Sequence, residues 1–170
     1  MLYAAITLSY RNWIPSFTVI EEIGSKEEAA YSVSIYSTIL TLFRFLLSGI
    51  KKKTSETLVI ASNGMIFIVI LCLLVYGMGF KTLMVFGSAI LLGMIYSTYY
   101  PYVFALPKEY NKTISSKNSS NIMIFYAIGE GILVSIVGYL MSWFPLMLFI
   151  SCLMMMIVNR VIVGKSINLL

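Results

Sequence analysis

Residues 29–53, AAYSVSIYSTILTLFRFLLSGIKKK, constrain this chain more than any other stretch. From 29 to 50 they carry one charge, Arg44, in a run long enough to cross a bilayer, which takes about 20 apolar residues. Lys51, Lys52 and Lys53 then stop the run. Ser34, Ser37, Thr41, Arg44 and Ser48 recur every three or four positions and so share one stripe of a helix. An ionised group facing lipid at mid-depth costs at least about 2.5 kcal/mol. The stripe is therefore expected against protein or a water-filled path.

The whole chain has the same character. A mean hydropathy of +0.91 over 170 residues, with 59% hydrophobic and 11% charged, excludes an ordinary soluble domain. It contains no Asp and no His, and Cys72 and Cys152 each sit alone in an apolar run. Zinc sites, thiol redox pairs and Ser-His-Asp hydrolysis therefore have no support, and neither an enzyme activity nor a cofactor is expected. The net charge of +5 comes from lysines at the ends of apolar runs, a topology signal and not a nucleic-acid patch.

Apolar runs predict an all-α membrane protein, a single domain over 1–170, with six transmembrane helices at about 1–20, 29–50, 58–76, 83–106, 121–142 and 145–163. The first run begins without a basic leader or cleavage site, so it is expected to be retained, in a chain missing its front or forming a half-transporter. Ser62-Asn63-Gly64 is the polar interruption of the third run, which otherwise reads as lipid-facing. In the fourth, Ala89, Gly93, Ser97 and Pro101 form a small-residue face that lets another backbone approach. Ala127, Gly131, Ser135, Gly138 and Ser142 suggest a second such face in the fifth. The Met-rich sixth run reads as lipid-facing or packing surface. Residues 107–120 form the one long polar loop, dividing the chain into two groups of three helices.

Basic residues set the orientation. Lys51, Lys52, Lys53, Lys108, Lys112, Lys117, Arg160 and Lys165 fall on one side, Lys26 and Lys81 on the other. The bias predicts both termini in the cytoplasm. Two glycosylation patterns, at Asn111 and Asn118, would argue for the opposite face if used.

Three ionisable groups lie inside the spans. Arg11 is about 15 Å from Met1, Arg44 about 10 Å from Lys51, and Glu130 about 13 Å from Asn121 along their helices. This similar depth suits a solute or proton-coupling site near the midplane, and it equally suits fixed ion pairs between helices. Asn12 accompanies Arg11. Tyr96, Tyr99 and Tyr100 could stack on a sugar ring or anchor at the interface, and Trp13 and Trp143 read as belt residues.

The chain resembles the C-terminal six-helix half of a major facilitator superfamily transporter, nearest to the sodium-dependent glucose transporter-like and fucose-permease-like branches. Residues 10–17 (YRNWIPSF), Ser34 through Arg44 to Gly49, residues 93–101 (GMIYSTYYP), and Gly129-Glu130-Gly131 with Gly138 carry the likeness. The resemblance implies a 3+3 inverted-repeat half of the major facilitator fold, with Pro15 and Pro101 interrupting the first helix of each triplet. It implies ion-coupled alternating-access transport of a small, sugar-like polar solute in a lipid bilayer, with H+ or Na+ as the driving ion. It also implies a further partner, either the missing N-terminal six-helix half or a second copy. The loop Gly49-Ile50-Lys51-Lys52-Lys53 departs from the superfamily pattern, lacking its acid and second glycine. The alternative is a non-transporting multi-pass membrane scaffold or subunit, which would tolerate neutral residues at all three intramembrane charges.

Overall fold

A computed structural model describes residues 2–47, 54–109 and 116–168. Among these the chain is helical and has no strands. The elements are α1 (Leu2–Ile20), α2 (Lys26–Leu47), α3 (Thr54–Gly77), α4 (Lys81–Glu109), α5 (Ser116–Ile128), a π-helical turn (Gly129–Leu133), α6 (Val134–Trp143) and α7 (Met147–Asn168). Ile128 and Val134 keep helical dihedrals on either side of the π turn, so α5, the turn and α6 form one continuous rod.

Among the described residues five segments are long and apolar enough to cross a membrane: Lys26–Leu47, Thr54–Gly77, Lys81–Tyr99, Met123–Trp143 and Met147–Lys165. The chain is a multi-pass integral membrane protein. α1 falls outside this set because Arg11, Asn12, Pro15 and Ser16 dilute its apolar content. α1 packs against α2, α7 and the rod through its other face, where Ala4, Ala5, Ile6, Ser9, Tyr10, Ile14 and Phe17 are fully buried.

Aromatic rings run through the bundle as a continuous column. Tyr3 stacks on Tyr99 with centroids 4.5 Å apart and meets Tyr96 edge-on at 5.9 Å. Tyr96 meets Tyr36, Tyr36 meets Tyr10, and Phe149 bridges Tyr10 to Phe17. Such pairs contribute about 0.5–1.5 kcal/mol each beyond burial. Hydroxyls lock the column: Tyr3 donates to the Tyr96 carbonyl at 2.8 Å, Tyr10 and Ser88 share a bond of 2.7 Å, and Asn159 of α7 donates to Tyr99 at 2.6 Å. Tyr96 and Tyr99 thus belong to the core and are not interface anchors.

The end of the bundle carrying the α1–α2 and α3–α4 turns is tied by charge. Glu21 accepts from Lys81 and from Tyr76, both at 2.7 Å, and these two bonds hold its carboxyl below the usual range. α2 starts earlier than its apolar run because Ser25 and Glu28 form a capping box, Ser25 Oγ accepting from the Glu28 amide while Glu28 Oε2 accepts from the Ser25 amide. Glu22 ends α1 in the left-handed region at φ 54°, where glycine is usual, and the Ile23 amide bonds back to the Thr18 carbonyl.

Several local expectations are revised. α3 buries a full face, including Leu58, Ala61, Ser62, Met65, Val69 and Cys72, so it is not simply lipid-facing. Its polar interruption finds partners: Ser62 bonds the Leu58 carbonyl, and Asn63 accepts from Arg160 Nε at 2.7 Å. Arg160 therefore lies within α7, which continues to Asn168. α1 and α4 remain helical through Pro15 and Pro101, so neither proline ends its helix. The small-residue face of α4 packs over Ala89, Gly93 and Ser97, which are buried, a Cβ at Gly93 standing 3.0 Å from the Tyr36 carbonyl oxygen, whereas Pro101 is exposed.

Of the second small-residue face, only Gly138 packs within the chain. Ala127, Gly131, Ser135 and Ser142 are exposed, while Gly129, Val134, Val137, Gly138 and Met141 are buried. The five-residue step from Gly129 to Val134 is the π turn, which shifts the buried stripe by one residue. Trp13 is likewise not a belt residue. Its ring lies over Gly138, and its Nε1 donates to the Val134 carbonyl at 2.9 Å. Trp143 is exposed, edge-on to Tyr139.

Candidate functional site

The core leaves α1 one accessible stripe. Leu8 is half-buried, Arg11 and Asn12 are exposed, Pro15 and Ser16 are half-buried, and Val19 is exposed, at the spacing of one helical face. Proline has no amide hydrogen, so Pro15 withholds from the Arg11 carbonyl its donor four residues on. A guanidinium, a side-chain amide, a hydroxyl and a backbone carbonyl without its helical donor thus share this face. Beside them Pro15, Ser16, Val19, Ile20, Lys26 and Ala29 line an open pocket of about 390 Å³ between α1 and the start of α2.

Across α1 from α2 stands the π turn, which packs on α1 and carries Glu130 on its exposed side. Among the described residues neither Arg11 nor Glu130 makes an ion pair or a side-chain hydrogen bond. Depth can be read from the contacts. Trp13 lies against both Val134 and Gly138, so Glu130 sits roughly 3–9 Å below the level of Arg11 at 1.5 Å per residue.

Arg44 occupies the other edge of this face. It is half-buried, its guanidinium interacts with the Tyr3 hydroxyl, and both it and Arg11 lie within electrostatic range of the Tyr36 phenol. The α2 stripe packs only in part: Ser37 is half-buried like Arg44, while Ser34 and Thr41 are exposed, their hydroxyls bonding the Ala30 and Ser37 carbonyls of their own helix. Ser48 and Lys51, Lys52 and Lys53 lie outside the described residues.

Arg11, Asn12, Arg44 and Glu130 therefore border one outward surface formed by α1, α2 and the rod. Tyr96 and Tyr99 are behind it: through Tyr3 they support Arg44, and no solute reaches them at this surface. Tyr100 lies on α4, with its side chain outside the described residues. Ser16 and Lys26 join the site although their residue types gave no warning, but Ser16 is four residues beyond Asn12, the spacing that places them on one face. Such a set can hold a small polar solute by hydrogen bonds and charge, with no bond made or broken. Comparison of the chain with family models, with characterised proteins and with solved structures gives no match.

Proposed function

We propose that this chain is a six-helix half of a major facilitator-type secondary transporter, moving a small polar, sugar-like solute by ion-coupled alternating access. One observation carries the proposal: the intramembrane Arg11 and Glu130, with Asn12 beside them, are exposed on a surface shared by α1 and the rod. Lipid is too costly a neighbour for two charges at that depth, so a water-filled path or a second protein body must cover them. The packing pattern supports an inverted repeat. α2 packs on α4 as the rod packs on α1, α3 packs on α4 as α7 packs on α1, and α3 packs on α7. These pairings exchange when the first, second and third helices swap with the fourth, fifth and sixth; the α1–α2 and α6–α7 contacts lie outside the pattern.

Glu130 is the coupling residue in this mechanism. The lysine bias places both termini in the cytoplasm. The test is uptake by the chain reconstituted with its completing half under a proton or sodium gradient. Glu130→Gln should leave insertion intact, abolish gradient-driven accumulation and spare passive exchange. Normal accumulation by the Gln variant would remove Glu130 from coupling. If neutral residues at Arg11, Arg44 and Glu130 together change nothing, the chain is a scaffold, the reading favoured by Arg44's anchorage on Tyr3.

A further inference from the structure

We infer that the outward face of α1, α2 and the rod is an interface between two copies of this chain, with Arg11 of each copy paired to Glu130 of the other. The inference deepens the transport reading by naming the second body, and rests on it only for the path between the copies.

Burial locates the face. Only 11% of the α2 span and 17% of the rod's span is buried, against 39% for α3 and 50% for α4. The two least enclosed spans flank the polar stripe of α1. Charge then selects the occupant. Arg11 and Glu130 are opposite in sign, exposed on neighbouring elements and unpaired with each other. A surface that carries both signs is complementary to itself under a two-fold axis along the membrane normal, and such an axis makes every contact twice. The offset of roughly 3–9 Å between their levels lies within the reach of an extended arginine side chain. Backbone approach is also open here. A Cβ at Gly131 would meet nothing within 4 Å, and Ala127 and Ser135, one turn to either side, are exposed and small. The pairing leaves neither Arg11 nor Glu130 toward lipid, which a neutral or single-signed partner would not achieve for both residues.

The test uses the full chain, in two differently tagged forms, in lipid bilayers. Wild-type copies should co-purify as dimers. Arg11→Glu alone places two acids opposite each other at both contacts, and Glu130→Lys alone places two bases there. Each single variant should lower the dimer fraction about tenfold. Mixing the two variants should restore it, because only the mixed pair has opposite charges at both contacts. Pairing within one chain predicts no recovery on mixing and would overturn the inference, as would monomeric wild type or undiminished dimers of either single variant. Trapping with a flexible bifunctional thiol reagent, long enough to replace the span of the arginine side chain, covers the case in which a charge reversal fails to fold. Arg11→Cys on one tag should cross-link to Glu130→Cys on the other, while the native Cys72 and Cys152 are buried and stay out of the reaction. Absence of that cross-link overturns the inference. Dimers that transport nothing would sink the transport reading and leave the interface standing.

Discussion

Gly138 and Gly131 lie seven residues apart on one rod, and alanine should have opposite effects at the two. At Gly138 an ideal Cβ would stand 2.0 Å from Trp13 Cζ2 and 2.6 Å from Cε2 and Cη2. The indole must therefore move, and its 2.9 Å bond to the Val134 carbonyl goes with it. Overpacking of this kind costs about 1–3 kcal/mol, and a lost hydrogen bond about 0.5–1.5 kcal/mol. Replacing a helix-interior glycine with alanine returns about 0.5–1 kcal/mol. The net expectation for Gly138→Ala is a loss of about 0.5–4 kcal/mol. At Gly131 nothing lies within 4 Å, so only the favourable helix term remains. A double-mutant cycle isolates the cause, since in a Trp13→Ala background Gly138→Ala should cost almost nothing. The assay is reversible unfolding in mixed micelles with rising denaturing detergent, comparing wild type with the four variants. Gly138→Ala within about 0.5 kcal/mol of wild type, or additive with Trp13→Ala, would refute the steric argument.

Further outcomes follow from particular contacts. Glu21 is held below its usual range by Lys81 and Tyr76, so its contribution is full above the unfolded value of roughly 4.3 and fades as pH falls through the lower folded value. Thermal denaturation should show this acid limb in wild type and a weaker one in Lys81→Met; equal limbs would exclude the clasp as its source. Glu22 occupies a left-handed position at φ 54°, so Glu22→Gly should raise stability by about 1 kcal/mol in the same unfolding assay, and a loss would show that its side chain matters more than its backbone. Among the described residues the Tyr36 and Tyr96 hydroxyls are buried without a protein partner, whereas Tyr10 bonds Ser88. Phenylalanine should be neutral or stabilising at Tyr36 and Tyr96 and should cost about 1 kcal/mol at Tyr10, a ranking that unfolding midpoints can check.

What the sequence determined by itself is what depends on each helix alone. In a membrane every backbone polar group must be satisfied within its own segment, so an apolar run of sufficient length is a helix whatever surrounds it. That is why the runs from 29–50 to 145–163 correspond to observed helices, and why the regular face of Ala89, Gly93 and Ser97 was legible before any contact was known. The apolar run did not mark the start of α2, which the Ser25–Glu28 capping box moves back to Lys26.

Only the tertiary structure decided what those helices touch. Tyrosine and tryptophan suit a core and an interface equally, so Tyr96, Tyr99 and Trp13 could be placed only by their neighbours: stacking on Tyr3 and the bond to Val134 put them inside. The π turn resets the phase of the rod, which turns Gly138 inward and leaves Ala127 and Gly131 on the outside, against any uniform 3.6-residue reading. The charges show the same division. Their depth is a property of position along a helix and can be counted from the sequence. Whether Arg11 and Glu130 face the bundle or leave it depends on how the helices rotate to bury the aromatic column, and that rotation is set by the packing of all of them together.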